Sequence, residues 1–195
     1  MVLGLYGSIS KAVSKHLDGL VVFEPQVYKD DRGFFMESWR KKDLEEYGID
    51  VDFKQDNHSR SCRGVLRGLH FQWDKPLGKL IRITRGAALV VEVDIRSNSP
   101  TLGEHIKVEL SDENHRVLWV PPGFANGFVA MSEICEMQYK CTEYWNPKGE
   151  SSILWSDPEI GIDWQAENPI LSPKDEVAQT LREWLTREES KTFSI

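Results

Sequence analysis

The stretches "GVLRGLHFQ" (residues 64–72) and "VPPGFANGF" (residues 120–128) carry the motif that best indicates the fold of this chain. In the first, a glycine is followed by His70 and then by Gln72, which share one strand face because strand side chains alternate. In the second, a Pro-Pro-Gly corner precedes Asn126, and such corners redirect the chain sharply. The two stretches have the spacing with which a β-barrel assembles metal ligands, yet His70 alone among the ligand positions is a histidine.

That spacing, G-x5-H-x-H followed by P-x-G-x-x-H, is typical of cupin barrels. Zinc, iron and nickel are bound in proteins chiefly by imidazole, thiolate and carboxylate groups. One imidazole with two carboxamides, at Gln72 and Asn126, is a poor substitute. The sequence therefore predicts a cupin scaffold that holds no metal.

Length and composition favour one globular domain over residues 1–195, with an N-terminal arm at 1–19 and a C-terminal helix and tail at 173–195. The net charge of −7 argues against non-specific binding to nucleic acid. The longest apolar run, "GAALVVEV", is too short to span a bilayer, and the N-terminus is a poor signal peptide. Three cysteines without CxxC spacing suit a reducing compartment, which indicates a cytoplasmic protein.

The middle of the chain alternates apolar and polar residues and is punctuated by tight turns. About nine short strands with little helix between them predict an all-β antiparallel sandwich or barrel. The tail "SPKDEVAQTLREWLTREES" predicts a helix with Ser172 as N-cap and Pro173 as its first residue. Its apolar face is predicted to comprise Val177, Leu181, Trp184 and Leu185.

Around His70 the pattern leaves alternatives open. A lone histidine on a strand can be a hydrogen-bonded core residue as well as a base. Strict alternation puts His70 and Arg67 on opposite faces, whereas a β-bulge at Gly68 would bring them to the same side. Spacing alone does not choose between these arrangements.

Several long blocks, in this order, resemble the dTDP-4-dehydrorhamnose 3,5-epimerase family. They are "DDRGFFMESW", "QDNHSRSCRGVLRGLHFQ", "GKLIRITRG", "VDIRSNSPT", "LWVPPGFANGF" and "YKCTEYWNP". The resemblance runs from Leu20 to Asp175 and implies a metal-free cupin jelly roll that needs no cofactor and forms a homodimer. It also implies a nucleotide-linked 4-keto-6-deoxy sugar as substrate, with neither nucleic acid nor membrane as partner. The C4 ketone acidifies the hydrogens at C3 and C5, so that a base and an opposed acid can invert either centre.

By this resemblance His70 is the base, Asp175 its acidic partner and Tyr139 the proton donor. Asp175 also stands three residues after Ser172, where a helix capping box places a carboxylate, so a capping role competes. Tyr139 is expected to have a pKa lowered by nearby Lys or Arg, and its alternative is a half-buried strand aromatic.

The substrate-binding positions also follow from the resemblance. Arg67 and Lys79 match residues that contact the diphosphate, and Gln55 and Asn57 match positions near the base. The remaining matches are Arg32 and Glu37 at the nucleotide site, often reached across the dimer interface, and the ligand-contacting Glu150 and Lys174.

Asn126 departs from the family, which usually carries histidine there, lining the sugar pocket. Asparagine keeps hydrogen bonding but does not titrate. The resemblance implies conversion of dTDP-4-dehydro-6-deoxyglucose to dTDP-4-dehydrorhamnose, and Asn126 leaves two alternatives open: a C3-only epimerase, or an epimerase of another 4-keto sugar such as a heptose. A metal-dependent cupin enzyme or a non-catalytic sugar-binding barrel is disfavoured, because Gln72 and Asn126 are amides and His70, Tyr139 and Asp175 are all present.

Overall fold

The structure, a computed structural model, describes residues 10–194, and for residues 10, 11 and 13–16 it describes the backbone alone. Within that range the strands are β1 (Ser10–His16), β2 (Leu20–Pro25), β3 (Val27–Asp30), β4 (Gly33–Met36), β5 (Gln55–Cys62), β6 (Leu66–Gln72), β7 (Lys79–Arg85), β8 (Ala87–Asp94), β9 (His105–Ser111), β10 (Val117–Val120), β11 (Phe124–Ala130), β12 (Ile134–Cys141) and β13 (Glu150–Ser152). The helices are α1 (Lys41–Glu45), α2 (Pro173–Glu176) and α3 (Leu181–Leu185), followed by a 3-10 helix (Glu188–Phe193). None of the helices within residues 10–194 has the length and apolar character that a membrane crossing needs. Most of the expected N-terminal arm, residues 1–9, lies outside the described residues.

Two antiparallel sheets face each other. The first sheet has the strand order β1-β2-β10-β7-β12-β5, and the second has the order β13-β6-β11-β8-β9. β3 and β4 form a separate two-stranded ribbon. The predicted all-β class and antiparallel sandwich are confirmed, and the strands β6, β7, β11 and β12 that carry the motifs lie in the middle of their sheets.

Alternation along the strands builds three apolar cores. Val90 of β8 points between the sheets, whereas Val91 points outward, under the C-terminal segment. Val22 of β2 likewise joins the inner core, and Phe23 packs outside it with the segment around α1. Strands buried on both faces must be apolar throughout, which explains the nearly continuous apolar runs. Glu92, two residues beyond Val90 on the inner side of β8, breaks this rule.

A bulge at Gly68 reshapes strand β6. Against β11, His70 pairs with Asn126 but Arg67 pairs with Phe128, so β6 contains one extra residue. Gly68 has φ +132°, and a Cβ atom there would lie 2.5 Å from the Cα of Gly127. Only glycine fits that position without a shift of backbone. The bulge confirms the arrangement in which Arg67 and His70 lie on the same side of β6, and both residues line the same cavity.

The C-terminal tail differs from the predicted continuous helix. It breaks after α2, and Thr180 starts α3 with a complete capping box to Glu183. Between them Gln179 pairs with Ile153 in an isolated bridge, which needs extended backbone. The placement of Val177 on the buried face was therefore wrong, since it is 80% exposed, whereas Trp184 is fully buried as predicted.

Candidate active site

A cavity of about 590 Å³ opens between the two sheets. That volume falls in the range of sites for small-molecule ligands. Ten of the twelve residues predicted from the sequence line it: Gln55, Asn57, Arg67, His70, Lys79, Asn126, Tyr139, Glu150, Lys174 and Asp175. They come from both sheets and from α2, so folding brings together residues far apart in the chain.

His70 and Asp175 form a tight pair in the lining of this cavity. Nε2 of His70 lies 2.6 Å from Oδ1 of Asp175, and the hydroxyl of Ser172 donates to Oδ2 at 2.8 Å. The carboxyl is 2% exposed, whereas the imidazole is 23% exposed. Burial raises the pKa of Asp175, but the hydrogen bonds from His70 and Ser172 outweigh it and hold that pKa below its usual value.

Both carboxylate oxygens of Asp175 are thus engaged by side chains. A capping box would instead direct the carboxylate to the backbone N–H of Ser172. The geometry favours the histidine–carboxylate pair over the capping role. An ionised carboxylate on one ring nitrogen fixes the tautomer and leaves the opposite nitrogen, which faces away from Asp175, able to accept a proton.

Tyr139 reaches the cavity from β12 of the opposite sheet. Its pKa is raised, first by burial and then by the charges of Cys141 and Glu150, and Arg67 offsets this only in part. The expectation of a lowered pKa was therefore wrong, because desolvation of the phenolate outweighs the nearby cation. A phenol that keeps its proton is suited to donate one.

Gln72 and Asn126, which stand where the cupin motif carries metal-binding histidines, have different hydrogen-bond partners. Gln72 is buried and donates to the backbone carbonyls of Lys75 and Tyr144, at 2.8 and 3.1 Å. Asn126 accepts from Nζ of Lys79 at 3.1 Å and donates to Oε1 of Glu92 at 2.6 Å. Across residues 10–194 no three His, Cys, Asp or Glu side chains are grouped to hold a metal.

Glu92 is the member of this site that sequence reasoning missed. It is fully buried, and burial raises its pKa to about 8, against the charge of Lys79 and the hydrogen bond from Asn126. Burial lowers the pKa of Lys79, and the charges of Glu92, Cys141 and Glu150 offset this in part. The available signal was a carboxylate on the inward face of the otherwise apolar strand "AALVVEV".

The cavity also has a polar rim. The amide of Gln55 donates to Asn57 at 3.0 Å, and Lys174 pairs with Glu150 at 3.2 Å. Arg67 donates to the hydroxyl of Ser61 at 3.2 Å. The exposed ring of Trp145, which the sequence did not single out, lies on the same rim.

Two predicted residues lie elsewhere in this single chain. Arg32 is exposed on the β3–β4 ribbon and pairs with Asp30, and Glu37 pairs with Arg40 at 2.7 Å. Neither contributes to the cavity lining. Their placement at a nucleotide site across a dimer interface stays a prediction.

Comparison with known proteins gives a consistent set of matches. A family model described as dTDP-4-dehydrorhamnose 3,5-epimerase matches residues 14–183. A relative of that name from Methanothermobacter thermautotrophicus is 51% identical over 174 residues, covering 88% of this chain and 94% of the relative. The solved dTDP-6-deoxy-D-glucose-3,5-epimerase from Legionella pneumophila, in complex with dTDP-4-keto-L-rhamnose, superposes with a TM-score of 0.86 at 46% identity, covering 89% of this chain and 93% of that one.

A further solved structure differs in its stated reaction. It is a 3'-monoepimerase from Streptomyces bikiniensis in complex with dTDP-quinovose, with a TM-score of 0.81 at 33% identity, covering 86% of this chain and 87% of that one. The common architecture is the cupin-type jelly roll. Given a family match over most of its length and a relative about half identical, this chain belongs to the dTDP-4-dehydrorhamnose 3,5-epimerase family.

Proposed function

We propose that this protein is an isomerase that epimerises dTDP-4-dehydro-6-deoxyglucose at C3 and C5, giving dTDP-4-dehydrorhamnose. The observation that carries the proposal is the His70–Asp175 pair, 2.6 Å apart, on one side of a cavity that Tyr139 enters from the facing sheet. A base and an acid on opposite sides of a ring are what inversion of a carbon centre requires. Family membership supplies the substrate class.

The reaction follows from these groups. The C4 ketone acidifies the neighbouring C–H, and the free nitrogen of His70 takes that proton, leaving an enolate. Asp175 stabilises the resulting imidazolium. Tyr139 returns a proton to the carbon from the opposite face, and solvent reprotonates the phenolate and removes the proton from His70. The electron pair of the broken C–H bond passes through the enolate into the new C–H bond, so no redox cofactor takes part.

Basic side chains along the cavity can balance the negative charge of the substrate. Lys79 lies deep, close to Asn126 and with its Nζ 5.9 Å from the centre of the Tyr139 ring. Arg67 and Lys174 stand nearer the rim and suit a diphosphate, which prefers fixed cations. We place the base of the nucleotide near Gln55 and Asn57, whose amides can pair with a pyrimidine edge.

The assembly proposed with this function is a cytoplasmic homodimer. In it, Arg32 and Glu37 contact the nucleotide bound by the partner subunit. The exposed aromatic rings of Phe34 and Phe35 on the same ribbon, 59% and 66% exposed, support a contact between subunits there. Neither nucleic acid nor a membrane is part of the proposal.

A C3-only epimerase is the second candidate, and Asn126 favours it. Both ends of its amide are bonded, to Lys79 and to Glu92, so this side chain forms part of the pocket wall and, unlike a histidine, does not titrate. The two centres present different faces of the ring to that wall. A change in the wall can therefore slow one inversion and spare the other.

Incubation with dTDP-4-dehydro-6-deoxyglucose in heavy water tests the function. Deuterium at C3 and C5, followed separately by NMR, reports each proton abstraction, and the product's coupling constants report each inversion. Label at both carbons with the rhamno product supports the double epimerase, and label at C3 alone supports the second candidate. Absence of exchange at both carbons contradicts both functions.

A further inference from the structure

We propose that Glu92, Asn126 and Lys79 form one proton-sharing unit, in which Glu92 acts through Asn126 as a positioning residue that sets the charge and place of Lys79. The proposal depends on the proposed function only where the charge of Lys79 is said to act on the negatively charged substrate. The unit itself is defined by hydrogen bonds and burial.

The sheet register aligns the unit. Asn126 of β11 stands opposite Glu92 of β8 on one side and opposite His70 of β6 on the other. Side chains directly opposite in a sheet lie on the same face, about 5 Å apart. The row therefore runs from the buried carboxyl, through the amide, to the imidazole, and Lys79 approaches the amide from the facing sheet.

The surroundings of Glu92 provide little stabilisation for a negative charge on its carboxyl group. It is 0% exposed and is absent from the cavity lining, to which its partner Asn126 belongs. Among the side chains that the structure describes, none bonds its Oε2, and Oε1 is held by Asn126 at 2.6 Å. An isolated buried carboxylate is strongly disfavoured, so its charge depends on a nearby cation or on a proton.

Asn126 can join Glu92 and Lys79 in two ways. In one, the amide N–H donates to a Glu92 carboxylate and the amide oxygen accepts from the Lys79 ammonium. In the other, the amide is rotated by half a turn, so that its oxygen accepts from a protonated Glu92 and its N–H donates to a neutral Lys79. The separations of 2.6 and 3.1 Å suit both arrangements. The two arrangements hold the same number of protons and the same net charge, and they differ in whether Lys79 is charged.

The charge on Lys79 therefore depends on Glu92. Glu92 in its ionised form favours the ammonium, whereas burial disfavours it. Other titratable or charged groups facing the same cavity are Arg67, His70, Tyr139, Cys141, Glu150, Lys174 and Asp175. Of these, Cys141 and Glu150 also favour the ammonium, and Glu92 has the largest effect of the three. Replacing Glu92 with a neutral isostere should lower the pH at which Lys79 loses its proton.

NMR titration of the full-length protein, labelled with ¹³C at the lysine side chains, tests the coupling directly. Lys79 is assigned by comparison with Lys79→Met. In Glu92→Gln, which keeps the shape and loses the charge, the midpoint of Lys79 should fall by about one pH unit or more. Asp157→Asn is the matched control, because Asp157 is also buried but binds the backbone N–H groups of Glu159 and Leu181. It should leave the Lys79 midpoint unchanged.

Kinetics supply the second readout. In Glu92→Gln the alkaline limb of the pH profile of kcat should move to lower pH, and KM should change less than threefold. If Glu92 were merely structural, the substitution would lower stability and leave the alkaline limb in place. If Glu92→Gln does not fold, ¹³C labelling of the glutamate carboxyl groups in the unmodified protein serves instead. One carboxyl should then titrate near pH 8, in step with Lys79.

An identical Lys79 midpoint in the unmodified protein and in Glu92→Gln overturns the proposal, as does an equal shift in Asp157→Asn. In the labelled, unmodified protein, the absence of any carboxyl titrating above pH 6 does the same. Because the titrations need no turnover, a chain that proves inactive as an epimerase still gives a clear answer about the unit.

Discussion

Replacing Asp175 with asparagine separates the two roles that its position allows. The change keeps the size of the side chain and removes its charge from the 2.6 Å contact with His70. A charge-assisted hydrogen bond of this kind contributes about 1.5–3 kcal/mol, and each 1.36 kcal/mol is a factor of ten in rate. If the new amide turns its oxygen to His70, the tautomer is kept and kcat falls by about 10–100-fold.

The loss is larger if the amide turns its nitrogen to His70. The N–H group would then donate to the ring, and the proton of the imidazole would move to the nitrogen that faces the substrate. In serine proteases the same exchange, with the wrong tautomer, lowers kcat by about 10⁴-fold. The expected loss in Asp175→Asn is therefore between about 10- and 10⁴-fold, with the fold kept.

The assay is the initial rate of deuterium incorporation at saturating substrate, together with the thermal unfolding midpoint. Ser172→Ala is the control, because it removes the partner of Oδ2 and leaves the contact with His70 intact. It should lower kcat by less than tenfold. If Asp175→Asn keeps kcat within threefold and loses only about 1 kcal/mol of stability, Asp175 caps α2 and is not the catalytic partner of His70.

Three further predictions follow from individual contacts. Gly68→Ala should destabilise the protein by about 2–4 kcal/mol in urea unfolding and abolish exchange, because its Cβ would lie 2.5 Å from backbone; an unchanged urea midpoint would contradict the bulge. Deuterium should enter C3 faster than C5, and Asn126→His should reduce that difference in rate. Equal rates at C3 and C5, unchanged by the substitution, would show that Asn126 is a neutral replacement. Burial raises the pKa of Asp94, but hydrogen bonds from Arg96 and Ser99 hold it below the ordinary 3.8. Its contribution to stability is thus complete above pH 3.8 and is lost as the pH falls through the folded-state value, so Asp94→Asn should destabilise the protein at pH 7 and the difference should shrink as the pH falls below 3.8; a constant difference would contradict this.

Much of the fold could be predicted because alternation and turn chemistry are local. The alternating strands and tight turns indicated the antiparallel sandwich, and the glycines around His70 allowed the bulge that Gly68 forms. The error at Val177 arose because a helical periodicity was read across Thr180, where a second cap restarts the helix. Propensity does not register that Gln179 is needed in an extended bridge to Ile153.

The site was predictable in its members and less so in its electrostatics. Ten of the twelve residues that match the family line one cavity. The direction in which the pKa of Tyr139 shifts depends on burial, which spacing cannot show. Glu92 was missed because a single carboxylate in a strand normally faces solvent. Its inward orientation followed only once β8 was seen to be covered on both faces.

The most direct test of the central claim is solvent exchange in His70→Asn, measured beside the binding of dTDP. We expect the unmodified protein to label the sugar carbons in heavy water, and the variant to bind dTDP with unchanged affinity but to exchange at least about a thousandfold more slowly. A variant that binds dTDP and still exchanges at the original rate would show that His70 is a core histidine and that another group removes the proton.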